Sequence, residues 1–193
     1  MSRSRDGLLD RLRARDGTAL TMVVEDHARV LYRAARGLGF TDDAAQDLTQ
    51  DVFAIFLETI DRFEARSQLR TWLLGILYRK AQERRRMMRR EEAVDPADAL
   101  FESWFTDRGM WARHPQDPTQ GLDDVAVAEA LTECLAGLPA LQRDVFHFRQ
   151  VEELSAAAVS ELVGESANHV GVLLHRARTR LRECLTKGGW RRR

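Results

Sequence analysis

The sequence predicts an all-α protein: two small helical domains joined by an acidic flexible linker. Three observations carry that prediction. Apolar residues recur at helical spacing along most of the 193 residues, and no stretch alternates convincingly with the period of a strand. Three of the four prolines, Pro96, Pro115 and Pro118, fall within residues 91–122, where the helical period fades. The charge is also unevenly placed. Thirty bases and thirty acids cancel formally, but residues 1–90 hold 18 bases and 13 acids, residues 91–130 hold 2 and 10, and residues 131–193 hold 10 and 7. Two basic blocks therefore flank an acidic middle, a pattern compatible with a polyanionic partner despite the neutral total.

The elements follow in order. Residues 1–17 read as a flexible N-terminal tail. Leu20, Val23, Val24, Val30, Leu31, Ala34, Ala35 and Leu38 form one amphipathic helix, broken by Gly37-Leu38-Gly39-Phe40. Thr41 has the character of an N-cap, with Asp42 and Asp43 in the first turn where the helix dipole favours acids. Leu48, Val52, Ile55, Phe56 and Ile60 then recur at steps of three to four. After a polar break at 64–68, Leu69, Trp72, Leu73, Ile76, Leu77 and Ala81 form a third stripe, which runs into a dense arginine block ending at Arg90. These helices make a first domain, 18–90. Residues 91–122 read as an acidic linker with aromatic points at Phe101, Trp104, Phe105 and Trp111. A second domain, 123–187, contains Val127, Leu131 and Leu135 on one helix. Leu141, Val145 and Phe148 follow Pro139 on the next. Ser155 suits the N-cap of a short helix ended by Gly164, and Ser166 caps a last helix to about Lys187. Residues 188–193 form a basic tail.

Cys134 and Cys184 form no Cys-x-x-Cys pair and no disulfide framework, which points to a reducing compartment. The N-terminus lacks the apolar run of a secretory signal, and no stretch reaches the length of a membrane span. A cytoplasmic protein is expected. No nucleophile elbow, phosphate-binding glycine loop or metal-ligand spacing is present, so no catalytic residue, metal or cofactor is assigned and no enzyme activity is expected.

Residues 159–174 have the spacing of a helix-turn-helix. Val159 and Val163 lie on the first helix, Gly164 supplies the turn, and Val170 and Leu173 lock the second helix in place. An ordinary helical hairpin would share this spacing. Arg176, Arg178, Arg180 and Arg182 downstream favour DNA binding through phosphate contacts. In the first domain, Asp43, Asp47 and Asp51 at i, i+4 and i+8 share one helix face, with Gln50 beside them. Such a face suits docking on a basic partner, a divalent metal in a helical nuclease, or plain solvation.

These motifs, taken in order, resemble the extracytoplasmic-function sigma factors, which direct bacterial RNA polymerase to promoters. Residues 44–53 (AAQDLTQDVF) resemble the core of sigma region 2, and 69–86 (LRTWLLGILYRKAQERRR) the promoter-melting helix. Residues 135–185 resemble region 4. The linker segment 105–111 (FTDRGMW) is similar to a glycine-and-tryptophan signature found in a subset of the family. The recognition helix departs from many members, since Gly171 and Leu173 occupy positions that are often basic.

The resemblance implies an alternative sigma factor. Its expected partners are core RNA polymerase, through the clamp helices of the largest subunits and the flap, promoter DNA, and a cognate anti-sigma factor. Sequestration at the inner membrane by that partner is one expected mode of control, and no small-molecule substrate is expected. The polymerase-docking residues implied are Asp43, Asp47, Gln50 and Asp51. Those for the minus-10 element are Phe63, Arg66, Ser67, Gln68, Arg79, Lys80, Arg84, Arg85 and Arg86. Those for the minus-35 element are Ser166, Asn168, His169, His175, Arg176 and Arg178. Trp72, on the apolar stripe, is expected to anchor the core rather than stack on a base. A helix-turn-helix regulator independent of polymerase and a metal-dependent nuclease are the competing readings.

Overall fold

The computed structural model describes residues 3–63, 68–89 and 124–187, and all regular structure among them is helical. The linker and its glycine-and-tryptophan segment lie outside these residues. The first unit contains α1 (Arg3–Arg13), α2 (Gly17–Gly37), α3 (Asp42–Thr59), a 3₁₀ turn (Ile60–Arg62) and α4 (Leu69–Arg89). The second contains α5 (Asp124–Ala136), α6 (Ala140–Phe146), a wide π-type turn (His147–Val151), α7 (Ala156–Val163) and α8 (Ala167–Lys187).

Local chemistry sets the helix ends. Asp16 caps α2 by accepting from the Ala19 N–H at 2.8 Å. Thr41 caps α3, accepting from Ala44 N–H at 3.4 Å, with Asp42 and Asp43 in the first turn as expected. Ser155 caps α7 and accepts from Ala158 N–H at 3.1 Å. Gly164 ends α7 at φ 76°, a left-handed conformation that glycine adopts without Cβ strain. Ser166 then accepts from His169 N–H at 3.1 Å at the start of α8.

Residues 3–13 are helical rather than a flexible tail. Leu12 is buried and Leu8 and Leu9 pack beside it, while Arg13 donates to the Phe63 carbonyl at 3.0 Å. Three leucines at i, i+1 and i+4 make too short a stripe to stand out by period alone.

Helices α2, α3 and α4 pack around Val23, Leu31, Leu48, Val52, Phe56, Leu73 and Leu77. Trp72 sits between Phe56 and Phe63, at ring distances of 5.9 and 4.9 Å, and is the expected core anchor. Leu74 and Tyr78 are also buried, although they lie off the predicted stripe, because α4 is covered on a second side by the other helical unit. Phe148 meets Tyr78 edge-on at 5.7 Å, and Val145, Phe148, Leu154 and Val159 join the same core as α2–α4.

The second unit has its own small cluster, where Cys134, Leu138, Ala177 and Leu181 hold α5 against α8. Cys134 and Cys184 form a disulfide across this contact, with Cα atoms 5.8 Å apart. This corrects the reading of two unpaired thiols. Their fifty-residue separation hid a pairing that exists only because α5 returns along α8.

Candidate nucleic-acid and polymerase interface

Helix α3 buries Leu48, Val52 and Phe56, so the opposite face turns to solvent. Asp43, Asp47, Gln50 and Asp51 are all exposed there. Asp47, Gln50 and Asp51 line one shallow depression together with Lys80, Glu83 and Arg84 of α4. Arg84 Nη2 donates to Asp47 Oδ2 at 3.0 Å, and Lys80 Nζ to Glu83 Oε2 at 2.9 Å. The bond to Glu83 holds the Lys80 ammonium above its ordinary range. Acids and bases thus alternate across the α3–α4 groove. Among the described residues no group of three or more His, Cys, Asp or Glu side chains is arranged to hold a metal ion.

The basic end of α4 divides into two faces. Arg79 and Arg86 are exposed, and Lys80 and Arg84 edge the acid groove. Arg85 instead turns toward the second unit. Its Nη1 and Nη2 donate to Asp144 Oδ2 and Oδ1 at 2.6 and 2.8 Å, and Nη2 also reaches the Leu38 carbonyl at 2.6 Å. Its guanidinium lies 5.5 Å over the Phe40 ring. Arg85, expected on DNA, is occupied in this arrangement. Phe63, expected in a base pocket, is buried against Trp72. Gln68 is exposed, and Arg66 and Ser67 lie outside the described residues.

Sequence reasoning missed the acids that take these arginines. Asp144 is fully buried on α6, and Glu152 follows the π-type turn at 3% exposure. Burial pushes the Asp144 carboxyl above its usual range, against the pull of Arg85, Arg143 and His147. Burial acts on Glu152 in the same sense, but the His147 ring 3.2 Å away and Arg70 override it and leave its carboxyl lowered. Arg70 donates to both the carboxylate and the carbonyl of Glu152. The available signal was Asp144 inside the stripe Leu141, Val145, Phe148, where a charge requires a partner.

The helix-turn-helix has the expected geometry. Val159, Val170 and Leu173 are buried between α7 and α8, and Ser160 Oγ donates to the Glu165 carbonyl at 2.5 Å across the turn. Ser166 and Asn168 are exposed at the front of α8, with Gly171 and Val172 one turn on. A side chain at Gly171 would meet open space, so glycine leaves a flat patch on this face. His169 is partly exposed, its Nδ1 2.7 Å from Glu165 Oε2. His175 differs from expectation: it is half-buried and its Nε2 atom is enclosed. The arginines do not form one face. Steps of two on a helix send Arg176 and Arg180 to one side and Arg178 and Arg182 to another. Arg178 is exposed and donates to Gln150 Oε1 at 2.7 Å.

Residues 23–92 match the family described as sigma-70 region 2, and residues 128–181 match sigma-70 region 4. The ECF RNA polymerase sigma factor SigD of Mycobacterium tuberculosis is 29% identical over 181 residues, which cover 91% of this chain and 81% of the relative. RNA polymerase sigma factor YlaC of Bacillus subtilis is 29% identical over 145 residues, covering 75% and 79%. Among solved structures, the sigma factor RpoE of Bartonella quintana, in complex with the anti-sigma factor NepR, superposes with a TM-score of 0.64 at 25% identity, covering 86% of this chain and 96% of that one. Both sigma domains in their expected order, with relatives that span most of the chain, show that this protein belongs to the extracytoplasmic-function sigma factors.

Proposed function

We propose that this alternative sigma factor docks on core RNA polymerase through the exposed face formed by Asp43, Asp47, Gln50 and Asp51. The observation that carries the proposal is the division of α3, whose buried side is apolar while its solvent side presents acids in register. Acids fixed on a rigid helix complement a basic partner and specify its orientation more than they add raw affinity. Arg79, Lys80, Arg84 and Arg86, with Gln68, Arg66 and Ser67 ahead of them, form the minus-10 surface. Arg85 joins it once released from Asp144. Each phosphate neutralised there releases counterions, so binding weakens with added salt.

Ser166, Asn168 and His169 form the front of the minus-35 helix, with Arg176 and Arg178 set for the backbone. Asn168 suits an adenine edge. The reacting nucleotides belong to the polymerase active centre, and this chain supplies recognition and strand opening. Among the described residues no helix is long and apolar enough to cross a membrane, and the proposed site of action is the cytoplasm. Its solved relatives include a sigma factor bound to an anti-sigma factor, which supports a cognate anti-sigma factor as the restraining partner.

The test is run-off transcription with purified core polymerase on DNA upstream of the protein's own gene. The Asp47→Arg, Asp51→Arg double variant is expected to lose both the transcript and co-elution with core, while keeping its helical content. Retention of core binding by this folded variant would place docking elsewhere. Failure of the wild-type chain to bind core would favour a polymerase-independent regulator.

A further inference from the structure

Helix α8 fixes its reading face by what it buries. Val170, Leu173, Leu174 and Ala177 pack inward, and the direction opposite them falls between Asn168 and Val172. Both of these residues are exposed. They stand one turn apart, about 6 Å along the axis. Asn168 is polar, as the outer face of a helix usually is. Val172 is a branched hydrocarbon left 45% exposed, and among the described residues it is the only large apolar side chain so exposed on α8. Beside it Gly171 adds no side chain, and a Cβ there would meet nothing within 4 Å. Its φ is not positive, so the backbone does not call for glycine either. Glycine weakens a helix interior, and neither packing nor backbone geometry accounts for it at this position.

The major groove offers a group that suits this pair. Thymine differs from the other three bases there by its C5 methyl, which is read by apolar contact, whereas adenine presents N6 and N7 to an amide. A valine meets the methyl without leaving a polar atom unpaired. Its side chain is short, so the helix backbone must come close. A bare Gly171 removes the side chain that would hold α8 off the groove floor. Base pairs stack about 3.4 Å apart, so side chains about 6 Å apart reach pairs no more than about two steps apart. We propose that Val172 is a specificity-determining residue that reads a thymine methyl within about two base pairs of the adenine met by Asn168, and that Gly171 sets the close approach this contact needs. The proposal rests on the reading of α8 as the minus-35 helix.

The size and character of the effect follow from the chemistry. Covering one methyl group changes affinity about fourfold. Arginine contacts to phosphate raise affinity for every sequence alike and make it fall with salt, whereas base-edge contacts discriminate between sequences. Loss of the valine contact therefore changes the ratio between two DNA sequences and leaves the salt dependence as it was. An apolar patch that served a protein partner would change neither.

The experiment uses the full chain assembled with core polymerase. Duplexes randomised across both promoter elements are selected for binding, and each thymine of the enriched upstream element, on either strand, is remade as deoxyuridine, which lacks only the methyl. One such replacement is expected to weaken binding about fourfold and the others little. Val172→Ala should weaken binding to the thymine duplex by a similar factor, remove the difference between thymine and uracil, and keep the wild-type slope of affinity against salt. Val172→Ile should keep the thymine preference. Gly171→Leu, which the open space beside α8 accommodates, should lose that preference with the valine still present. Circular dichroism and co-elution with core establish that each variant is folded and assembled. An upstream element whose thymines all exchange for uracil without effect would overturn the proposal, as would a Val172→Ala variant that still discriminates. Enrichment of no upstream sequence at all would overturn the minus-35 reading itself, whereas an enriched element indifferent to uracil overturns only the role of Val172.

Discussion

Two sets of carboxylates in this chain differ in one variable, water, and that variable divides their roles. Asp43, Asp47 and Asp51 stand in solvent on α3. Asp144 and Glu152 are buried at the joint between the sigma domains. Each set has an arginine of α4 within hydrogen-bonding distance. Asp47 meets Arg84 with both side chains substantially exposed, whereas Asp144 meets Arg85 with no exposure on the acid and 13% on the arginine. The exposed pair forms and breaks cheaply, which suits a surface that must exchange one partner for another. The buried pair holds a geometry, because each charge has nowhere else to go while the joint is closed. Adjacent arginines on one helix are thus given opposite duties by their surroundings.

The largest effect should come from removing one half of the buried set. Asp144→Ala is expected to lower unfolding free energy by about 3–5 kcal/mol in denaturant titrations, since Arg85 is left without its carboxylate. Asp144→Leu with Arg85→Met should recover most of that loss, because an apolar pair needs no compensation. A cost below about 1 kcal/mol for the single variant would erase the distinction between the two sets.

A control away from both acid sets comes next. Cys134→Ser is expected to cost about 2–4 kcal/mol by freeing a long loop in the unfolded chain. Duplex affinity should stay at the wild-type value, because the bond joins two residues outside the proposed minus-10 and minus-35 surfaces.

The pH dependence of Glu152 sharpens the comparison further. Its folded pKa lies below the usual glutamate value of 4.5. Its contribution is therefore fully present above that value and is lost as pH falls through the lower folded pKa. Glu152→Gln should cost about 1–3 kcal/mol near neutrality, and the gap from wild type should close in acid. A gap that widened in acid would reverse the assigned sign. The smallest effect belongs to the exposed set: Asp47→Asn should change stability by less than about 1 kcal/mol, with any change disappearing in high salt.

Much of this architecture was legible in the residues. Thr41, Ser155, Gly164 and Ser166 mark helix boundaries by chemistry that acts within four residues, and the structure places those boundaries accordingly. The stripe Leu48, Val52, Phe56 fixed by subtraction which acids of α3 face water. What escaped was non-local. Leu74 and Tyr78 lie off the local stripe because a second domain covers them, and no period on one helix encodes a partner some seventy residues away. The resemblance implied Phe63 at the minus-10 element, yet Phe63 is buried against Trp72. Arg85 was indistinguishable from Arg84 and Arg86 until Asp144 appeared beside it. The cysteines were misread for the same reason, since their encounter depends on how α5 returns along α8.

That cysteine bond has a topological consequence. By joining positions 134 and 184, it turns α6, α7 and most of α8 into a closed ring that contains the whole recognition module. A motor-driven protease that threads its substrate from either end would have to admit two strands abreast at the ring, or stall there. The lifetime of region 4 under such degradation is then tied to the local thiol–disulfide balance: an oxidised ring resists being drawn through a narrow pore, and a reduced chain passes as a single file.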